Sequence, residues 1–114
     1  MTKITFIKKG DKYTGFYAEG HSGYGVAGED IVCASISVLI INTVNSIDVI
    51  NHEKVELVTN EDEGVIIFNL LSDNEPSTQV LFQSLNLGLT SIQSEYGNDF
   101  IQVITKEVND NVTA

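Results

Sequence analysis

The residues most able to do chemistry in this chain are one cysteine and one of its two histidines. Cys33 follows His21 by twelve positions, and the segment between them is rich in glycine. A thiolate is a strong nucleophile, and an imidazole can protonate a leaving group or activate water. The pair is therefore a candidate for nucleophilic catalysis. The competing interpretation is a core cysteine, because cysteine is among the most often buried residue types.

The expected position of Cys33 strengthens the catalytic interpretation. We predict a helix for which Asp30 is the N-cap, so that Cys33 lies in its first turn. Free backbone amides and the positive end of the helix dipole favour a thiolate there. The Asp30 carboxylate opposes thiolate formation, unless it orients His21 instead. His52 is expected to be an exposed residue at the other end of that helix, without a catalytic role.

The elements that must position these residues follow from hydrophobic periodicity. Residues 30–50 contain neither glycine nor proline, and their apolar side chains recur at three- and four-residue steps, which predicts a long, largely buried helix. Glu75 and Pro76 open a second helix, and Gly97 ends it. Strands are predicted around Ile4 to Phe6 and at Tyr13–Glu19, Val55–Thr59, Val65–Phe68 and Phe100–Ile104.

The resulting order is ββαββαβ, typical of one α+β domain with a mostly antiparallel sheet of about five strands and two helices. The domain is predicted to span residues 1–108. Residues 109–114 are polar and are expected to form a frayed C-terminal tail. Residues 20–29 hold four of the nine glycines, which predicts a mobile loop between the second strand and the first helix.

That loop also contains the pattern Gly23-x-Gly25-x-x-Gly28, which resembles a dinucleotide-binding fingerprint. The fingerprint works only within a parallel βαβ unit whose helix amides face a pyrophosphate. The next predicted strand arrives only after a long helix and then pairs as a hairpin, so nucleotide binding is not favoured. The acidic segment Asn60–Gly64 is most simply a solvated turn, because it lacks the regular ligand spacing of a calcium loop. We expect no cofactor and no metal.

Charge excludes further classes of function. The chain of 114 residues has six lysines, no arginine and sixteen acids, for a formal net charge of −10. Direct nucleic-acid binding is therefore not expected, because phosphates need clustered cations. A single cysteine cannot form an intrachain disulfide. No targeting segment or membrane helix is predicted, and a cytoplasmic location is expected. The negative charge either keeps the protein soluble or attracts a basic partner.

The segments Gly20–Tyr24 and Gly28–Ser37 together resemble the signature of the ribosomal-processing cysteine protease family, Prp. A glycine-flanked histidine is followed, after a glycine-rich spacer, by Asp-Ile-Val-Cys-Ala and a serine four residues after the cysteine. Ser22 stands where an alanine would be expected. Chain length, acidity and element order agree with the same family, so the resemblance covers essentially the whole chain.

The resemblance implies a cytoplasmic, homodimeric endopeptidase of low-GC Gram-positive-type bacteria. Its substrate would be the N-terminal extension of large-subunit ribosomal protein twenty-seven, a basic protein, removed during ribosome assembly. Cys33 would be the nucleophile that forms an acyl-enzyme, and His21 the general acid and base. Gly20, Asp30 and Ser37 match further motif positions as supporting residues. The alternative is a non-catalytic, acidic, ribosome-associated binding module.

Overall fold

The computed structural model of the protein describes residues 1–20 and 29–108. The five strands are β1 (Thr2–Lys9), β2 (Lys12–Glu19), β3 (Val55–Asn60), β4 (Val65–Leu70) and β5 (Ile101–Glu107), and the two helices are α1 (Glu29–Asn45), which a π-helical turn (Ser46–Ile50) continues, and α2 (Pro76–Tyr96). The predicted order ββαββαβ is confirmed. The predicted mobile loop, apart from its first and last residues, and the predicted C-terminal tail both lie outside the described residues.

The strands form one sheet in the order β3-β4-β2-β1-β5. The β1–β2, β2–β4 and β3–β4 pairs are antiparallel, and only the β1–β5 pair is parallel. The sheet is therefore mostly antiparallel, as predicted. The parallel pair arises because α2 carries the chain from the end of β4, across β2 and β1, to the edge where β5 starts beside the start of β1.

The hydrophobic core lies between one face of the sheet and the two helices. Side chains alternate along a strand, and the cross-strand partners Phe6, Phe16 and Phe68 share one face. All three are at most 1% exposed, and Phe82 of α2 packs against Phe68. The other large members of the core are Ile4, Val32, Ile36, Ile40, Val44, Ile47, Leu85, Leu89 and Ile101.

The direction of α2 is fixed at both of its ends. Near its start, the Gln79 side chain accepts a hydrogen bond from the Tyr13 N–H (2.7 Å) and donates one to the Tyr13 carbonyl (2.9 Å), at the beginning of β2. Beyond its end, the Phe100 carbonyl accepts a hydrogen bond from the Thr2 N–H at the beginning of β1 (2.9 Å). Because β1 and β2 are antiparallel, α2 ends where β2 ends.

The two helices pack antiparallel to one another. The π-helical turn that ends the first helix meets the start of α2, because the Asn51 side chain donates to the hydroxyls of Ser77 (3.1 Å) and Thr78 (2.9 Å). Farther along, Leu39 fills the space beside Gly88, where an added Cβ would lie 3.0 Å from a Leu39 methyl. A glycine at position 88 therefore lets the two helices approach closely. α1 therefore begins at the end of the sheet where β2 ends.

The predicted start of α1 needs a correction. The helix begins at Glu29, so Asp30 lies inside its first turn rather than at the N-cap, and Cys33 lies in the second turn. Acidic residues are favoured throughout the first turn, so Asp30 does not by itself mark the boundary. The second helix begins at Pro76, and Gly97 follows its last residue, as predicted.

The carboxylate of Glu53 joins the end of the first helix to the start of the second. This side chain is 3% exposed and accepts hydrogen bonds from the Ser72 hydroxyl, the Asn74 and Glu75 amides and the Thr78 hydroxyl, at 2.7 to 3.2 Å. Burial by itself raises the pKa of this carboxyl, but the four donors outweigh it and hold the pKa below its ordinary value of 4.5. The Glu75 side chain does not cap α2. The Glu53 carboxylate instead accepts hydrogen bonds from the Asn74 and Glu75 amides just before the helix, which would otherwise lack a partner.

We predict that Glu53→Gln lowers the free energy of unfolding at neutral pH by about 2 kcal/mol, since charge-assisted hydrogen bonds are lost in a buried site. Urea denaturation followed by circular dichroism measures this. The depressed pKa means that the Glu53 contribution is present above pH 4.5 and is lost as the pH falls below that value. The unfolding free energies of wild type and variant should therefore converge in acid.

The matched control is Glu56→Gln, because Glu56 is exposed and accepts one hydrogen bond from Asn69 (3.0 Å). It should change stability by less than about 0.5 kcal/mol. Equal losses for the two variants, or a difference that does not shrink in acid, would contradict the role given to Glu53.

Candidate active site

The end of β2 is held in a fixed position by its neighbours. Gly20 directly follows β2, and its N–H donates to the Gly64 carbonyl at the start of β4 (3.1 Å). Gly20 has a φ of +114°, and an added Cβ would collide with the Met1 carbonyl oxygen. Only glycine meets both conditions. The backbone therefore leaves the sheet toward residue 21 in a direction fixed by β4 and by the first residue of the chain.

Cys33 lies on α1 at the border between its buried and exposed sides. Its neighbour Val32 and the residue one turn later, Ile36, are 1% and 4% exposed, whereas Cys33 is half-buried. The thiol is free. A partly exposed thiol on a rigid helix can meet a substrate without unfolding of the core, which a fully buried cysteine could not do.

The fold brings Gly20 and Cys33 to the same end of the molecule. β2 ends at this end of the sheet, α1 begins there, and only the nine residues 20–28 connect them. Asp30 is in the first turn of α1, and Ser37 is exposed one turn beyond Cys33. His21, the predicted partner of the cysteine, lies outside the described residues, so the predicted dyad stays a prediction.

The second histidine is not part of this region. His52 is exposed and follows the π-helical turn, at the opposite end of the first helix from Cys33. Its φ of +55° places it in the left-handed conformation that commonly ends helices. The prediction of an exposed helix-end residue is confirmed.

Acidic side chains surround the end of the sheet where β2 ends. Glu19, the last residue of β2, is exposed, and so are Glu61 and Glu63 in the turn between β3 and β4. That turn adjoins the site through the bond between Gly64 and Gly20. We call Glu19, Glu61 and Glu63 the acidic rim. Among the described residues, no group of three or more His, Cys, Asp or Glu side chains could hold a metal ion.

Sequence reasoning identified Gly20 from its motif but missed the two contacts that hold it. Gly64 and Met1 lie far from Gly20 in the chain, and they reach it only through sheet pairing. The positive φ of Gly64, +65°, suits the turn between β3 and β4, and the sequence pattern signals only that turn. The acidic segment was correctly predicted as an exposed turn, without any indication that it adjoins the site.

Comparison with protein families identifies the class of this site. The family model of cysteine protease Prp matches residues 1–102. The chain therefore belongs to the Prp family of ribosomal-processing cysteine proteases. It is a cysteine protease, which decides against the predicted alternative of a non-catalytic binding module.

Two curated relatives support the assignment. The ribosomal processing cysteine protease Prp of Staphylococcus aureus is 27% identical over 88 residues, covering 77% of this chain and 83% of the relative. The protein of the same name from Bacillus subtilis is 26% identical over 110 residues, covering 92% and 97%.

Solved structures share the fold. A protein from Streptococcus mutans is 29% identical with a TM-score of 0.82, covering 95% of this chain and 96% of its own. The essential ribosomal processing protease Prp from S. aureus, crystallised with a covalently linked product peptide, is 26% identical with a TM-score of 0.82, covering 93% and 100%. The same protease was also crystallised with a substrate peptide, at 25% identity, a TM-score of 0.83 and the same coverage.

We predict that Gly20→Ala lowers peptidase activity at least about tenfold, because a small displacement of catalytic groups is costly. The new methyl group collides with the Met1 carbonyl and redirects the backbone that leads to residue 21. Initial rates of peptide cleavage at equal concentrations of folded enzyme measure the effect.

Gly97→Ala is the matched control. Gly97 also has a positive φ, +97°, but an added Cβ would meet nothing within 4 Å. Both variants strain the backbone, and only Gly20→Ala adds the collision. Equal activity in the two variants would show that the Met1 contact does not position the site.

Proposed function

We propose that this enzyme is an endopeptidase that removes the N-terminal extension of large-subunit ribosomal protein twenty-seven, with Cys33 as nucleophile and His21 as general acid and base. The observation that carries this proposal is the placement of a half-buried cysteine in the second turn of α1, at the end of the domain where β2 ends at Gly20. His21 directly follows Gly20 in the sequence.

The proposed reaction is acyl transfer. His21 first takes the proton of the Cys33 thiol, and the resulting thiolate sulfur bonds to the scissile carbonyl carbon. The carbon–nitrogen bond then breaks, and the His21 imidazolium gives that proton to the departing amine. His21 then takes a proton from water, which attacks the thioester and releases the new C-terminal carboxylate and the Cys33 thiol. No cofactor is required by these steps.

The start of α1 supplies the electrostatic part of this mechanism. Cys33 is in the second turn, and side chains on a helix lean toward its N-terminus, so the sulfur is directed toward the first turn. The amides of that first turn have no partner within the helix. They are the groups that we propose stabilise the negative oxygen of the tetrahedral intermediate. Asp30 and Ser37 are proposed as supporting residues on the same helix.

The proposed substrate agrees with the charge of the protein. Ribosomal proteins are basic, and this chain carries a net charge of −10 with the acidic rim beside Gly20. Opposite charges accelerate encounter and are screened by salt. The relatives are named for ribosomal processing, and a crystallised relative holds a substrate peptide. We further propose a cytoplasmic location, where ribosomes assemble, and a homodimeric state.

We predict that Cys33→Ala and His21→Ala each abolish cleavage of the extended ribosomal protein, because each removes one member of the dyad. Mass spectrometry of the product detects the loss of the extension. His52→Ala is the matched control and should cleave at the wild-type rate, since His52 lies at the other end of the first helix. A wild type that does not cut, or a His21→Ala that cuts normally, would refute the proposal.

We also predict that the KM for the full-length basic substrate rises as salt is increased from about 50 to 300 mM, because salt screens the attraction between the acidic surface and the substrate. A short, uncharged peptide spanning the cleavage site is the control, and its KM should change little. If KM rose equally with salt for both substrates, long-range charge attraction would be excluded as the cause of the rise.

A further inference from the structure

One strand of the sheet is left partly uncovered on the side where the helices pack. Leu57 of β3 pairs with Phe68 of β4, and cross-strand partners lie on the same face of a sheet. Phe68 is fully buried in the core, whereas Leu57 is 48% exposed. Thr59 shares that face two residues farther along β3 and is also exposed. The helices therefore cover β4 and stop short of β3, and we call Leu57 and Thr59 the open strip.

The helix nearest to the open strip is α1. The second helix, α2, lies over the other half of the sheet, because Gln79 near its start bonds to Tyr13 of β2. Near its end, Gln93 accepts a hydrogen bond from the Val103 N–H of β5 (3.0 Å). α1 packs beside α2 and contributes to the same core. It must therefore lie over β2 and β4, between α2 and the open strip.

The proposed nucleophile is on the flank of α1 that faces the open strip. Ile36 is buried against the sheet, and Cys33 and Leu39 lie three residues before and after it. Each three-residue step falls about 60° short of a full turn of the helix, so these two side chains lie on opposite sides of Ile36. Leu39 contacts α2 at Gly88, which places Cys33 on the flank turned away from α2. Ser37, four residues after Cys33, is exposed on the same flank.

We propose that this flank of α1 and the open strip form the two sides of a groove for an extended substrate segment, in which Leu57 selects an apolar side chain. The inference rests on the proposed protease reaction. A peptide whose carbonyl is attacked by Cys33 must lie along this flank. Alternate side chains of an extended peptide point to the same side, so some of them meet β3. An apolar side chain there is buried against Leu57, which the described fold leaves half exposed.

The surroundings of the open strip define the chemistry of the segment more closely. β3 has six residues, which at about 3.3 Å each accommodate an extended segment of similar length. Glu61 and Glu63 of the acidic rim follow β3 directly and are exposed. The groove therefore suits a segment that is apolar over Leu57 and basic toward the rim, because opposite charges attract there.

Cleavage kinetics of a peptide spanning the proposed cleavage site, with wild type, Leu57→Ser and Val58→Ser, test the proposal. Val58 is the matched control, because it is 49% exposed in the same strand but lies on the sheet face opposite the helices. Leu57→Ser should raise KM about tenfold with little change in kcat, since it removes binding shared by the ground state and the transition state. Val58→Ser should match wild type. Leu57→Met, which stays apolar, should remain within about twofold of wild type.

An alanine series in the peptide identifies the substrate residue that contacts Leu57. Replacing that apolar residue should raise KM about tenfold with wild type and much less with Leu57→Ser, because both changes remove the same contact. Circular dichroism should be the same for all variants, since Leu57 and Val58 are each about half exposed. An alanine series that is equally steep for wild type and Leu57→Ser, or equal KM values for Leu57→Ser and Val58→Ser, would overturn the proposal.

Binding without cleavage separates this proposal from the proposed reaction. The peptide, labelled with fluorescein, is titrated with Cys33→Ala protein and followed by fluorescence anisotropy. Adding Leu57→Ser should weaken this binding about tenfold, and adding Val58→Ser should not. That result supports the groove even if wild type fails to cut the ribosomal protein, which would refute only the proposed reaction. Undetectable binding, or binding unchanged by Leu57→Ser, would refute the groove even if wild type cuts.

Discussion

The buried carboxylate of Glu53 determines how the two helices are arranged, and the site follows from that arrangement. It binds the hydroxyls of Ser72 and Thr78 and two amides at the start of α2, directly after the first helix has ended. The end of one helix is thereby joined to the start of the next. An antiparallel helix pair results, so the beginning of α1 lies at the opposite end of the domain, where β2 also ends.

This arrangement brings two well-supported elements to the end of the domain that carries the proposed site. Cys33 is on a helix whose inner side is buried, and Gly20 is fixed by Gly64 and Met1. The short connection between them begins and ends on rigid elements.

Secondary structure was predictable from the sequence because local patterns determine it. The alternation in the strands, the helical periodicity of apolar residues over 30–50, and Pro76 and Gly97 at the two ends of α2 are all local patterns. The start of α1 was placed two residues late, since acids at 29 and 30 both suit the first turn of a helix. The motif around Cys33 identified the family, and the family model confirms it.

The contacts that organise the site were not predictable in the same way. Glu53 follows an exposed histidine in a connecting segment, and nothing local indicates that its carboxylate is buried. The bond from Gly20 to Gly64 and the approach of Met1 depend on strand order, which hydrophobic periodicity does not determine. Long-range pairing of this kind requires the assembled sheet.

The first helix has apolar residues on both its inner and its outer side, and the sequence alone does not distinguish the two sides. Its inner side completes the core of the domain, and Val32 and Ile36 are needed there whether or not a partner exists. Its outer side contributes nothing to that core, because Val38 and Ile41 remain more than half exposed. A valine or isoleucine side chain that stays exposed to water contributes no hydrophobic free energy to folding. Both residues are also poorer helix formers than alanine or lysine. The packing of the described residues therefore does not explain why the outward-facing side chains of this helix are apolar.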